Sequence, residues 1–149
     1  ERDDVLVYTS PVLQQDLKVA GPVTVHLWAT TDGRDTDWTA KLVDVYPDGK
    51  SVNLCDGIIR ARYRQGTDKA VLLNPGQPYD YTVDLVATAN LFKAGHRVRV
   101  EISSSNFPRF DRNSNSGGKI QDEATGRAAM QRVHHTAARP SSIELPVLP

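Results

Sequence analysis

The sequence predicts an all-β domain, a two-sheet sandwich of the jelly-roll kind. Three observations carry that expectation. Apolar residues recur with a period of two, putting one face of each segment toward a core. Turn chemistry punctuates the chain at short intervals. A helical period is nearly absent: only residues 122–132 admit a helix, and Gly126 weakens it.

In chain order, residues 5–9 form the first apolar run. In residues 23–29, Val23, Val25, Leu27 and Ala29 share one face. Residues 38–46 and 51–55 flank Pro47-Asp48-Gly49, which reads as a hairpin turn. A further strand is expected over 58–63, after Asp56-Gly57. Beyond Asn74-Pro75-Gly76, Tyr81, Val83 and Leu85 alternate with Asp80, Thr82 and Asp84. Past Ala94-Gly95, Val98, Val100 and Ile102 alternate with Arg97, Arg99 and Glu101. The polar stretch 103–119 is too long for a tight turn and reads as an ordered surface loop. Residues 131–136 and 142–147 complete a set of about eight or nine strands, a number that fits a sandwich or jelly roll.

The 149 residues fit one domain, 1–149, with a single core. Lys plus Arg and Asp plus Glu number 18 each, so no basic excess points to nucleic acid or anionic lipid. No apolar run approaches the ~20 residues of a membrane span. The chain starts at Glu1 with no signal pattern, and reads as a piece of something longer. Cys55 is the single cysteine, so no internal disulfide forms; a reducing setting fits, with the cytoplasm favoured.

Serines, aspartates and four histidines are present, but no Gly-x-Ser-x-Gly elbow exists, so no catalytic residue is assigned. Cys55 lies in an apparent strand, where a thiol is usually a small buried hydrophobe. Asp48-Gly49-Lys50-Ser51 imitates the end of a phosphate loop, yet Asp44 stands where that loop needs its first glycine. Asp111-Arg112-Asn113-Ser114-Asn115 imitates a calcium loop, but Ser116 replaces the sixth-position glycine and Asp122 the final Glu. Asp32, Asp35 and Asp37 form a second oxygen-rich loop, where local turn bonds are the commoner use. His134 and His135 adjoin a strand, so their rings point apart and share no metal. No metal or cofactor is assigned. Trp28, Trp38 and five tyrosines leave sugar stacking open, as in lectin-like jelly rolls.

Several stretches together resemble the C-terminal domain of cocaine-esterase-like acyl hydrolases and X-Pro dipeptidyl-peptidases. They are Val5-Leu6-Val7-Tyr8-Thr9-Ser10, the run Asp35-Thr36-Asp37-Trp38 through Val45, Pro47-Asp48-Gly49, and Leu54-Cys55-Asp56-Gly57-Ile58 with Arg60-Ala61-Arg62-Tyr63-Arg64. Ala94-Gly95-His96-Arg97, the run from Ser103 to Asn113, His135, Pro140-Ser141 and Leu145-Pro146-Val147 follow in order. Residues 118–130 and Thr136-Ala137-Ala138-Arg139 depart from the family's pattern.

The resemblance implies a jelly roll similar to galactose-binding domains. It also implies that the triad lies upstream, in an α/β-hydrolase domain with a helical cap. The domain's expected role is to pack against and stabilise those two domains. Its expected partners are therefore within the same parent chain, and a homo-oligomer is compatible with the reading. The rival is a carbohydrate-binding module.

The expected docking element is the loop of Asn106, Phe107, Pro108, Arg109, Phe110, Asp111, Arg112 and Asn113. Two aromatics and two arginines in a polar loop are the residue types that most often anchor interfaces. The competing expectation is that both phenylalanines cap the domain's own core.

Overall fold

The computed structural model describes residues 3–119 and 122–149. Eight strands build it: β1 (Leu6–Thr9), β2 (Leu17–Thr31), β3 (Asp37–Val45), β4 (Ser51–Arg60), β5 (Tyr79–Phe92), β6 (Arg97–Ser103), β7 (Gln131–Val133) and β8 (Ser142–Glu144). They form two antiparallel sheets. One has the order β1-β6-β3-β4; in the other β2 lies between β5 on one side and the short β7 and β8 on the other. The expected sandwich is present.

The core lies where the period-two faces meet. From β2, Val23, Val25, Leu27 and Ala29 are at most 3% exposed, and from β5 so are Tyr81, Val83 and Leu85. Trp38, Ala40 and Leu42 of β3 and Ile102 of β6 face them from the other sheet. The alternation read from sequence is thus the alternation buried.

Elements run longer than the sequence expectation where backbone geometry overrides local pattern. The run expected at 23–29 extends to Leu17–Thr31. β5 passes through a bulge between Pro22 and Thr24 of its partner, where Val86 takes a left-handed φ of 66° and its N–H donates to Asp84 Oδ1 at 2.7 Å. Pro22 falls at this irregularity, where a residue without an N–H is tolerated.

Residues 51–55 and 58–63 are not two strands. They form β4, continuous to Arg60, followed by the 3-10 turn Ala61–Tyr63. Gly57 does not break the strand; it pairs with Ala40. A Cβ on Gly57 would lie 1.9 Å from the Asp84 carbonyl oxygen. The glycine therefore serves close approach rather than a turn: it lets β4 of one sheet abut the β5 bulge of the other and close that side of the sandwich.

The helix expected over 122–132 is absent. Residues 123–130 are irregular, and 131–133 is strand β7, paired with β2. The backbone there bonds outward instead of along a helix. The Arg127 N–H donates to Ser114 O, the Met130 N–H to Asp32 Oδ1, and Asp32 N–H to Met130 O. Among the described residues no helix is long and apolar enough to cross a membrane.

Candidate interdomain docking site

The loop 106–113 is held at both ends by carboxylates that the first sheet buries. Asp35, Thr36 and Asp37 lead into β3 and are at most 1% exposed, while Asp56 of β4 is 7% exposed. A buried carboxylate is stable only when its oxygens are bonded and its charge is countered. Here each one is.

Asp35 accepts from the Arg62 N–H at 2.9 Å, Arg62 Nε at 2.7 Å and Asn113 Nδ2 at 2.8 Å. Asp37 accepts a two-pronged pair from Arg60, at 2.9 and 3.1 Å, and the same Asn113 amide at 2.8 Å. That pairing holds the Arg60 guanidinium above its ordinary pKa. Arg62 also donates to Gly118 O at 2.8 Å, tying in the stretch after the loop. The spacing Arg60-Ala61-Arg62 across the 3-10 turn sends both guanidinium groups to the two aspartates.

At the other end, Asp56 accepts from Asn106 Nδ2 at 2.7 Å and from an Arg109 guanidinium nitrogen at 2.9 Å. The Asn106 carbonyl accepts the Arg109 N–H at 3.0 Å and the Phe110 N–H at 3.3 Å, closing a turn around Phe107 and Pro108, whose peptide bond is cis.

Between these anchors the loop presents apolar and cationic groups to solvent. Phe107 is 58% exposed, and the Arg112 guanidinium lies 4.4 Å from its ring centre. Pro108, Arg109, Asp111 and Arg112 are also exposed. Phe110 is half-buried, with Arg109 5.5 Å from its ring, and neither phenylalanine belongs to the core cluster. Phe107 forms one end of a groove of about 730 Å³ along the outer face of the β1-β6-β3 sheet, which also carries Val7, Lys41, Arg99 and Glu101.

The other sequence candidates are distributed elsewhere. Cys55 is half-buried, and burial together with Asp56 pushes its thiol up, away from nucleophilic character. Asp48 Oδ1 accepts the Lys50 N–H at 2.9 Å in the hairpin, where Gly49 has a φ of 88°. Asp32 pairs with Arg127 at 3.1 Å. Asp35 and Asp37 are committed to arginines and Asn113. Trp38 is 2% exposed, so its face is closed to a sugar; Trp28 is half-buried on the opposite side of β2 from the core. His135 Nε2 bonds Tyr8 Oη at 3.0 Å.

Sequence reasoning missed the roles of Asp56 and of the buried pair Asp44 and His96, joined at 2.8 Å beneath the Tyr46 ring. Asp44 also accepts from Asn90, at 3.4 Å. Asp44 stands alone among apolar strand positions, which was the available signal.

Comparison with known proteins follows this geometry. Residues 1–144 match the profile of the family described as X-Pro dipeptidyl-peptidase C-terminal non-catalytic domain. The chain is 46% identical over 150 residues to cocaine esterase from Rhodococcus sp. strain MB1 Bresler, covering 99% of this chain and 26% of that protein. It superposes on the aminopeptidase of a marine-sediment Thaumarchaeota archaeon with a TM-score of 0.91, at 34% identity, covering 99% of this chain and 26% of the other. An alpha-amino acid ester hydrolase gives a TM-score of 0.90 at 36% identity, again over 99% and 26%. The chain thus spans about a quarter of the length of each of these relatives.

Proposed function

The chain belongs to the X-Pro dipeptidyl-peptidase C-terminal non-catalytic domain family, and we propose that it docks through the loop 106–113 onto a catalytic α/β-hydrolase domain and its cap within one longer protein. It is non-catalytic; the parent's reaction is ester, amide or X-Pro peptide hydrolysis. The observation that carries the reading is an exposed Phe107, stacked by Arg112, on a loop whose two ends are fixed by buried carboxylates. A fixed loop loses little freedom when it binds, so the exposed aromatic contributes more of its burial to affinity.

The groove beside Phe107 extends the same face, and β1, the first strand of the chain, runs along its edge through Val7. The chain passes between sheets from β1 to β2 to β3, and again from β4 to β5 to β6. That repeated crossing supports reading the sandwich as a jelly roll of the galactose-binding type.

Two measurements test the function. Purified chain is assayed with p-nitrophenyl acetate and butyrate; turnover no higher than a heat-denatured control is expected, and activity that survives repurification overturns the non-catalytic role. Amide hydrogen exchange of residues 106–113 is then compared between the isolated chain and the full-length protein. Slower exchange in the full-length protein is expected, and equal exchange overturns the docking assignment.

A further inference from the structure

The two sides of the sandwich differ. Where β4 meets β5, Gly57 brings the sheets into contact. On the opposite side, β1 and β6 face β7 and β8 across a slot of about 200 Å³, lined by Tyr8, Val25, Leu27, Ile102, Val133 and Ile143. Its floor is core: Val25, Leu27 and Ile102 are at most 3% exposed. No Asp, Glu, Lys or Arg lines it.

The slot is built into the sheet. β7 pairs with β2 at Ala29 to Thr31 and β8 pairs with it at Thr24 to His26, so the strand beside β2 is interrupted between them. Trp28 lies at that interruption, yet its backbone is bonded. The His134 N–H donates to Trp28 O at 2.8 Å, the Trp28 N–H donates to Ser141 Oγ at 3.0 Å, and Ser141 Oγ donates to His134 O at 2.8 Å. The Ser141 hydroxyl thus takes the place of a strand neighbour, and the chain loops away without leaving these amide groups unpaired in an apolar wall. At the mouth, Tyr8 Oη and His135 Nε2 bond each other at 3.0 Å, their rings edge to face at 5.0 Å. Both residues lie at the surface.

We propose that this slot binds a neutral, single-ring aromatic alcohol. Size sets the ring count: a dry aliphatic cavity of ~150 Å³ holds a benzene-sized guest. No carboxylate, lysine or arginine lines the slot, so an ion entering it would lose its hydration without a fixed counter-charge. The Tyr8–His135 bond supplies the hydroxyl preference. An alcohol entering ring-first leaves its O–H at the mouth, donating to His135 Nε2 or accepting from Tyr8 Oη, so the bond that opens is replaced.

The test titrates the full chain with p-cresol and, separately, with toluene, following methyl resonances by NMR. Saturable shifts at Val25, Leu27, Ile102, Val133 and Ile143 are expected, with a p-cresol Kd on the order of 1 mM. Nuclear Overhauser contacts should join those methyls to the ring protons. Val133→Phe, which fills the slot, weakens both ligands at least about tenfold. Tyr8→Phe combined with His135→Ala weakens p-cresol about tenfold and toluene less than about twofold, as loss of one hydrogen bond implies. Should Val133→Phe fail to fold, the methyl contacts in the unaltered chain decide the location. Non-saturable shifts, or shifts centred on Phe107, overturn the site. Equal weakening of p-cresol and toluene by the double variant overturns the alcohol preference.

Discussion

Replacing Asp35 by alanine removes the carboxylate that binds β3, the 3-10 turn and the end of the 106–113 loop together. Asp35 is fully buried and accepts three hydrogen bonds, two from Arg62 and one from Asn113. In the variant Arg62 keeps Gly118 O as an acceptor but loses its counter-charge while only 13% of its side chain is exposed. Breaking a buried pair from one side costs about 3–5 kcal/mol, because the remaining charge stays desolvated. For a domain of this size each kcal/mol lowers the melting temperature by about 2–4 °C. The fall should therefore be roughly 6–20 °C, measured by calorimetry and by urea titration at constant slope. Arg62→Met on top of Asp35→Leu should cost clearly less than the sum of the two single changes, since the stranded charge is removed with its partner. A loss below about 1 kcal/mol for Asp35→Ala, or simple additivity, would refute the claim that a buried charge network anchors the loop.

Three further outcomes follow from the same contacts. Gly57→Ala should destabilise the isolated chain by about 3 kcal/mol or more, because its Cβ would meet the Asp84 carbonyl at 1.9 Å and rigid backbone cannot yield cheaply; a melt within about 1 kcal/mol of wild type contradicts this. Asn113→Ala frees one end of the loop, so trypsin should cut after Arg109 or Arg112 several-fold faster, as gel time courses would show; unchanged rates contradict it. Burial pushes the Tyr81 phenol up to about 12 from its ordinary value of 10.0. The folded value lies above the unfolded one, so this group's contribution is whole below about pH 10 and is lost as pH rises through 12, at up to about 1.4 kcal/mol per pH unit. Tyr81→Phe should flatten that alkaline loss; an unchanged alkaline profile contradicts the assignment.

The sandwich was legible because the buried faces of β2 and β5 follow a period of two, whereas β3 is buried on both faces. Val23 to Ala29 and Tyr81 to Leu85 need no tertiary context to reveal which side is core. What misled was residues whose role is set across the fold. Gly57 reads locally as a breaker, and only the position of Asp84 makes it a contact residue. Residues 122–132 have helix formers, but Ser114 and Asp32 claim their backbone groups from a distance.

Asp35 and Asp37 were visible as an acidic cluster, and a calcium loop looks the same in one dimension. The arginines that neutralise them lie 23 and 27 residues along the chain. The loop's aromatic and cationic content was legible; the pairing of Arg109 with Asp56 was not. The exposure of Phe107 against the half-burial of Phe110 depends on a turn that composition does not specify.

Phe107→Ala distinguishes a side chain that anchors the domain to a larger partner from one that packs into the domain's own core. Melting temperatures are measured for wild type and variant in the isolated chain and in the full-length protein. The side chain is 58% exposed and lies outside the core cluster, so the isolated chain should melt within about 2 °C of wild type. A truncated interface anchor costs about 2 kcal/mol or more, so the docked domain in the full-length protein should unfold several degrees earlier. If the isolated chain loses as much as the full-length protein, or if neither changes, Phe107 is not the anchor and the docking account is wrong.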